Sequence, residues 1–211
     1  MDFFLEKPYF YSILGLTIIC SLIGFGNHNF FDKNKFVPYA VARNSKEWHR
    51  FFTSGFLHAD FLHLFFNMYV FYSFGSYLNF AYKIYFEKWG NLLFLALYVS
   101  AIAVSHIVTF LKEKDNYGYA SIGASGAVSA ILYATILIAP QSLMRVMGIP
   151  MPAILFGVVY LGIEFFMGRR SRSGINHDAH FFGALYGFVF TGIFKPDLFL
   201  DFIGKIKMML S

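Results

Sequence analysis

An all-α membrane protein, a bundle of six transmembrane helices, is the fold the sequence predicts, and three observations predict it. Of 211 residues, 57% are hydrophobic and 21% aromatic while only 14% are charged, against roughly 25% charged in an average soluble domain. The apolar residues fall in six runs of helix length. The breaks between runs collect the charged and turn-forming residues. Too few polar groups remain to cover a water-facing globule, so a disordered tail, a disulfide scaffold and an ordinary cytosolic enzyme are excluded. The net charge of +5 comes from Lys and Arg in the breaks, where anionic head groups of the lipid bilayer account for it and nucleic acid is not a predicted partner. The single cysteine, Cys20, lies inside the first run and forms no internal disulfide.

A bilayer core takes about 20 helical residues per crossing, so the chain has room for six spans and no soluble domain. The first run, Tyr9 to Gly26, is too aromatic for a signal peptide and no small-residue cleavage site follows it, so it reads as a retained span. Asn27 to Phe56 mixes Lys33, Lys35, Arg43, Lys46 and Arg50 with Phe36, Tyr39, Trp48 and Phe51. That mixture predicts a structured first loop half sunk in the head-group layer. Five further spans are predicted, at about 57–78, 90–111, 121–139, 146–167 and 177–194. The last residues, 195–211, put Leu198, Phe199, Phe202, Ile203, Ile206 and Met209 on one face, the pattern of a short interfacial helix. The whole, 1–211, reads as one domain with its core at about 9–194. No internal repeat is visible. Basic residues lie on both sides, so the positive-inside rule does not fix the orientation.

Polar groups in hydrocarbon are costly, and three spans carry them. In the second, His58, His63 and Asn67 occur together, the last two on one helix face. The fourth opens with Gly123-Ala124-Ser125-Gly126. A serine among small residues serves close helix packing, but Ser125 also falls in a first turn, where backbone N–H groups lack intrahelical partners and stabilise an oxyanion. A serine nucleophile needs a base, and His180 in the sixth span is the candidate. Gly183 and Gly187 share its face and clear space for a partner helix carrying Ser125, Gly126 and Ala130. The three spans start from the same side, so the groups lie at comparable depth. For any one membrane histidine, His63 included, an interhelical hydrogen bond is the simpler reading. Convergence of three sites favours chemistry.

These residues resemble the rhomboid family of intramembrane serine proteases. Gly123-Ala124-Ser125-Gly126 matches its nucleophile motif, Ala179-His180-Phe181-Phe182-Gly183 with Gly187 its sixth-span histidine motif, and His58 to His63 followed by Asn67 its second-span motif. Trp48-His49-Arg50 is similar to its first-loop Trp-Arg signature, with one residue inserted. The resemblance implies a rhomboid-like core in which Ser125 is the nucleophile and His180 the base, then acid, of a two-residue dyad. It assigns His63, Asn67 and the Ser125 N–H to the oxyanion hole, and implies no cofactor and no metal. The implied substrate is a single-span transmembrane protein. His58, with His63 and Asn67, is expected to help admit water. The fifth span and the loop 168–176 are expected to act as gate and cap. The implied setting is a bacterial plasma membrane, with the site opening to the extracytoplasmic side. In the family an aromatic residue four after the serine packs on the imidazole; here that position is Ser129, which leaves the orientation of His180 without an assigned contact. Glu164, the sole acid well inside a span, is expected at the interface, without a chemical role. Arg50 is read equally well as a lipid-phosphate contact.

Three other readings compete. A catalytically silent relative that binds transmembrane clients would not need both Ser125 and His180. A zinc hydrolase would draw on His58, His63, His177 and either Asp178 or His180, yet no HExxH lies on a helix. A transporter or channel would want charged residues deep in several spans. Oligomeric state is not legible.

Overall fold

The computed structural model describes residues 6–146, 149–170 and 175–210. Helix α1 (Pro8–Gly26) begins with proline at its first position, where no backbone N–H is needed. The first loop that follows is folded throughout. It contains α2 (His28–Asn34), α3 (Pro38–Arg43), a 3-10 turn at Ser45–His49, α4 (Arg50–Thr53) and a second 3-10 turn at Ser54–Phe56. Asn27 and Asn44 cap α2 and the first 3-10 turn through their side-chain oxygens.

Arg50 fastens this loop from inside. Its guanidinium donates to the Asp32 carbonyl at 2.7 Å and to the Lys35 carbonyl at 2.8 Å, and its Nε donates to the Glu47 carboxylate. That hydrogen bond holds the Glu47 carboxyl below the usual carboxylate range. Arg50 is therefore a clip between loop segments, which replaces the lipid-phosphate reading of this side chain.

The second apolar run continues further than the sequence predicts. Helix α5 (Phe61–Val70) passes through a π turn at Phe71–Gly75 directly into α6 (Ser76–Phe86). The π turn seats Phe71, fully buried, flat against Phe10 of α1 with ring centroids 5.1 Å apart. The chain reverses at Glu87, whose φ is 48°, and enters α7 (Gly90–Glu113). By length and composition, α1 and the helical stretch Phe61–Glu113 are apolar enough to cross a membrane.

Helix α8 (Ser125–Ile138) starts later than the predicted 121. Ser121 is held in an extended bridge to Phe36 of the first loop, and Gly123 takes φ +121°, a conformation that ends any helix extending backwards. From Gly126 onward every residue of α8 is buried, so this helix is the axis of the molecule. A hairpin of β1 (Leu143–Val146) and β2 (Ile149–Pro152) then stands where the fifth span was predicted to begin. Helix α9 follows at Ala153–Arg170, and of the expected cap, residues 171–174 lie outside the described residues. Helix α10 (His177–Phe194) has the predicted limits.

Helix α11 (Asp197–Leu210) turns Leu198 inward and packs Phe199 and Phe202 on Phe188 of α10. Its Lys205 Nζ donates to the carbonyl of Ile138, the last residue of α8, at 2.7 Å. A cation at a helix C-terminus satisfies an orphan carbonyl and complements the dipole. Lys205→Met keeps the apolar stem and removes the donor, and is expected to lower stability by about 1.5–3 kcal/mol, the range of a hydrogen bond from a charged group. Thermal unfolding in detergent checks this.

Candidate active site

Helix α10 lies against α8 because both present bare backbone at the contact. A Cβ on Gly183 would run into the carbonyl of Gly126, and one on Gly187 into that of Ala130. Ser125 immediately precedes Gly126, and His180 stands one turn before Gly183, so the close approach brings these two residues to the same end of the helix pair. Both line the same two cavities, of about 420 and 560 Å³. Asn67 and Phe66 of α5 border both cavities as well.

The two cavities differ in chemistry. The smaller runs between α5 and α9 and is walled by apolar side chains that include Val70, Phe74, Leu132 and Phe156. The larger lies under the loops, where Asp60, His63, Ser121 and Asn176 alternate with Leu62, Ile122 and Ile175, so that it is the more polar of the two while still largely apolar. Ser125, His180 and Asn67 stand where an apolar slot meets a vestibule of more polar lining.

Gly123 sets the turn before Ser125. Its N–H donates to the Ser54 carbonyl at 3.0 Å, and a side chain there would press on the His63 ring at 3.0–3.1 Å. The Ala59 N–H donates to His63 Nδ1 at 3.4 Å, which makes Nε2 the protonated nitrogen and a donor. Asn67 Nδ2 donates one hydrogen to the His63 carbonyl at 3.0 Å and has a second to offer. His63 and Asn67 line the larger cavity together with Ser125 and His180, at the end of α8 where the first-turn N–H groups lack intrahelical partners.

His58 differs from its sequence-based role. It is fully buried; its Nε2 accepts from the Ala124 N–H at 3.5 Å and its Nδ1 donates to Ser21 Oγ at 2.9 Å. Ser21 Oγ donates in turn to the Phe56 carbonyl at 3.0 Å. This chain pins the turn before Ser125 to α1. His58 lines neither cavity beside Ser125 and supports the site from behind.

Two residues that the sequence left without a role surround His180. The Tyr160 ring of α9 lies 20° from parallel to the imidazole, centroids 6.5 Å apart, and its hydroxyl is bonded to Ser129 Oγ at 2.7 Å. The aromatic contact expected four residues after the serine is thus supplied from another helix, with Ser129 holding the phenol. Glu164, one turn further along α9, is buried instead of interfacial. Its Oε1 lies 3.1 Å from His180 Nδ1 and its Oε2 2.7 Å from His177 Nδ1. A polar stripe of Tyr160 and Glu164 at i and i+4 in an otherwise apolar helix is the signal by which both could have been found.

The zinc set drawn from the sequence does not assemble. His58 is bonded as described, and Asp178 is held by Lys112 Nζ at 2.8 Å from both carboxylate oxygens. The group that does gather is Glu164, His177 and His180, with ligand atoms within 4.8 Å of one another. Hydrogen bonds already account for the close approach of those atoms.

A family model for the rhomboid domain matches residues 45–196, a range that takes in Glu47 and Arg50 of the first-loop clip, the glycine contacts, and His63, Asn67, Ser125, Tyr160, Glu164 and His180. The chain belongs to the rhomboid family. It is accordingly a membrane protein. Among its relatives, RHOMBOID-like protein 12, mitochondrial, of Arabidopsis thaliana is 29% identical over 163 residues, 73% of this chain and 48% of that protein. Presenilin-associated rhomboid-like protein, mitochondrial, of Homo sapiens is 29% identical over 147 residues, 64% of this chain and 35% of that protein. This rhomboid chain therefore spans between about a third and a half of the length of these relatives. Their names place them in mitochondria, and the bacterial plasma membrane expected from the sequence finds no support among them.

Proposed function

We propose that this rhomboid chain is an intramembrane serine endopeptidase that cleaves single-span transmembrane proteins through Ser125 and His180. The observation that carries the reading is the position of these two residues and Asn67 at the meeting of the apolar slot and the more polar vestibule. A peptide bond inside a helix has its carbonyl engaged, so a substrate must unwind locally before attack. The apolar slot would receive side chains of the unwound strand. The vestibule would supply water for deacylation.

In this reading α1, α5 with α6, α7, α8, α9 and α10 are the six spans. Helix α8 has 14 residues, about 21 Å at 1.5 Å per residue, shorter than a hydrocarbon core of about 30 Å. Its first residue, Ser125, would then lie below the membrane surface, with the site opening on the side opposite Pro8.

Ser125 Oγ attacks the scissile carbonyl carbon as His180 Nε2 takes its proton. The carbonyl oxygen becomes an oxyanion facing His63 Nε2–H, Asn67 Nδ2–H and the Ser125 N–H. His180 then passes the proton to the leaving nitrogen as the C–N bond breaks, and water, deprotonated by the same imidazole, hydrolyses the acyl-enzyme. Helix α9 turns Leu155, Val158, Val159, Ile163 and Phe166 outward, an apolar flank suited to lipid or to a substrate helix.

Asn67→Ala and His63→Ala are each expected to lower kcat for a reporter helix by roughly 10²–10³-fold, the usual cost of one oxyanion donor, while leaving fluorophosphonate labelling of Ser125 detectable. Turnover unchanged in both variants would contradict the oxyanion assignment.

A further inference from the structure

We infer that Glu164 is a positioning residue for His180, so that the dyad of the proposed protease operates in this chain as a Ser125–His180–Glu164 triad. The inference rests on the reading of Ser125 and His180 given above. An ionised carboxylate only accepts hydrogen bonds. The 3.1 Å contact between Glu164 Oε1 and His180 Nδ1 therefore puts a proton on Nδ1 and leaves Nε2 with its lone pair, the tautomer a general base needs.

Four features make the contact more than a chance surface pair. Glu164 is buried, where a carboxylate persists only with partners. Its second oxygen is held by His177 Nδ1 at 2.7 Å, so the carboxylate cannot rotate away from His180. Tyr160, on the same helix, flanks the imidazole face, so one helix fixes both the plane and the tautomer of the ring. Asn176 anchors the start of α10 by accepting from the Ala179 N–H at 3.1 Å and from Thr109 Oγ1 of α7 at 2.9 Å, which fixes the helix turn that carries His177 and His180.

During acylation the Ser125 proton moves to His180 Nε2. The Nδ1 proton stays on nitrogen and Glu164 remains ionised, its charge opposing the positive charge that the imidazole acquires. Nε2 then surrenders its proton to the leaving amine, and Glu164 is unchanged at the end of the cycle. This is the part played by a buried carboxylate in serine proteases, where exchanging it for an amide leaves the geometry intact and costs about 10⁴-fold in kcat by favouring the wrong tautomer.

The test compares detergent-solubilised full-length wild type with Glu164→Gln and Glu164→Asp, reading kcat and KM on a reporter helix, the rate of fluorophosphonate labelling, and thermal stability. Glu164→Gln is expected to reduce kcat and labelling rate at least 100-fold with KM within threefold of wild type, and Glu164→Asp to restore part of the loss. The inference is overturned if Glu164→Gln turns over within threefold of wild type. It is equally overturned if both variants lose activity only in proportion to lost folded protein, or if wild-type activity is removed by chelator and restored by zinc. The last result would make Glu164, His177 and His180 metal ligands. A wild type that does not label at Ser125 removes the protease reading itself, whereas normal wild-type labelling with an indifferent Glu164→Gln removes this inference alone.

Discussion

Ser125→Ala and His180→Ala are each expected to abolish cleavage of a reporter transmembrane helix, with losses of roughly 10⁴–10⁶-fold, the scale on which a nucleophile or its base acts. The double variant is expected to be no worse than either single one, because the two groups act in one proton transfer and their effects are not additive. Neither residue carries the fold. Ser125 stands at the end of α8, which is held from Gly126 onward by packing, and His180 borders cavities rather than filling core. Thermal stability is expected to stay near that of wild type in Ser125→Ala and to fall modestly in His180→Ala, which leaves the buried Glu164 carboxylate with His177 as its remaining imidazole partner. Activity surviving in either is the outcome that counts against the pair.

Gly187→Leu is expected to have the second large effect, on folding instead of chemistry. The new side chain would have to occupy the space of the Ala130 carbonyl, which is backbone of the buried axial helix and cannot swing aside. Inserting methylenes into a packed core typically costs about 1–3 kcal/mol where side chains can adjust; here the helices themselves must part, so the expected loss exceeds that range. Parting α10 from α8 also separates His180 from Ser125. Gly187→Leu is expected to lose fluorophosphonate labelling and thermal stability together, measured on the same purified sample. Gly15→Leu, at a helix position with open space around it, is expected to lose neither.

Legibility in the sequence followed the range of the interactions. The apolar runs that became α1, α7 and α10 could be read within one or two residues, because burial along a helix is written in consecutive residues. The later start of α8 could not, since it depends on Ser121 pairing with Phe36, 85 positions away, and on the turn at Gly123. The π turn at Phe71–Gly75 and the hairpin before α9 leave no periodic signature that separates them from an apolar run. The motif residues Ser125, His180, His63 and Asn67 were found by type and spacing, and the structure gathers all four around one cavity. His58 shared a motif with them but lies behind the nucleophile turn. Glu164 and Tyr160 were passed over because their partners, His180, His177 and Ser129, belong to other helices, and only the packing of α9 against α8 and α10 shows what an acid in an apolar helix is for.

The most direct measurement is to treat the detergent-solubilised wild-type chain and its His180→Ala variant with a fluorophosphonate and map the adduct by mass spectrometry. A single adduct on Ser125 of the wild type, and none on the variant, is the expected result. An unmodified Ser125 in active wild-type protein, or equal modification with and without the His180 imidazole, would contradict a serine activated by that histidine.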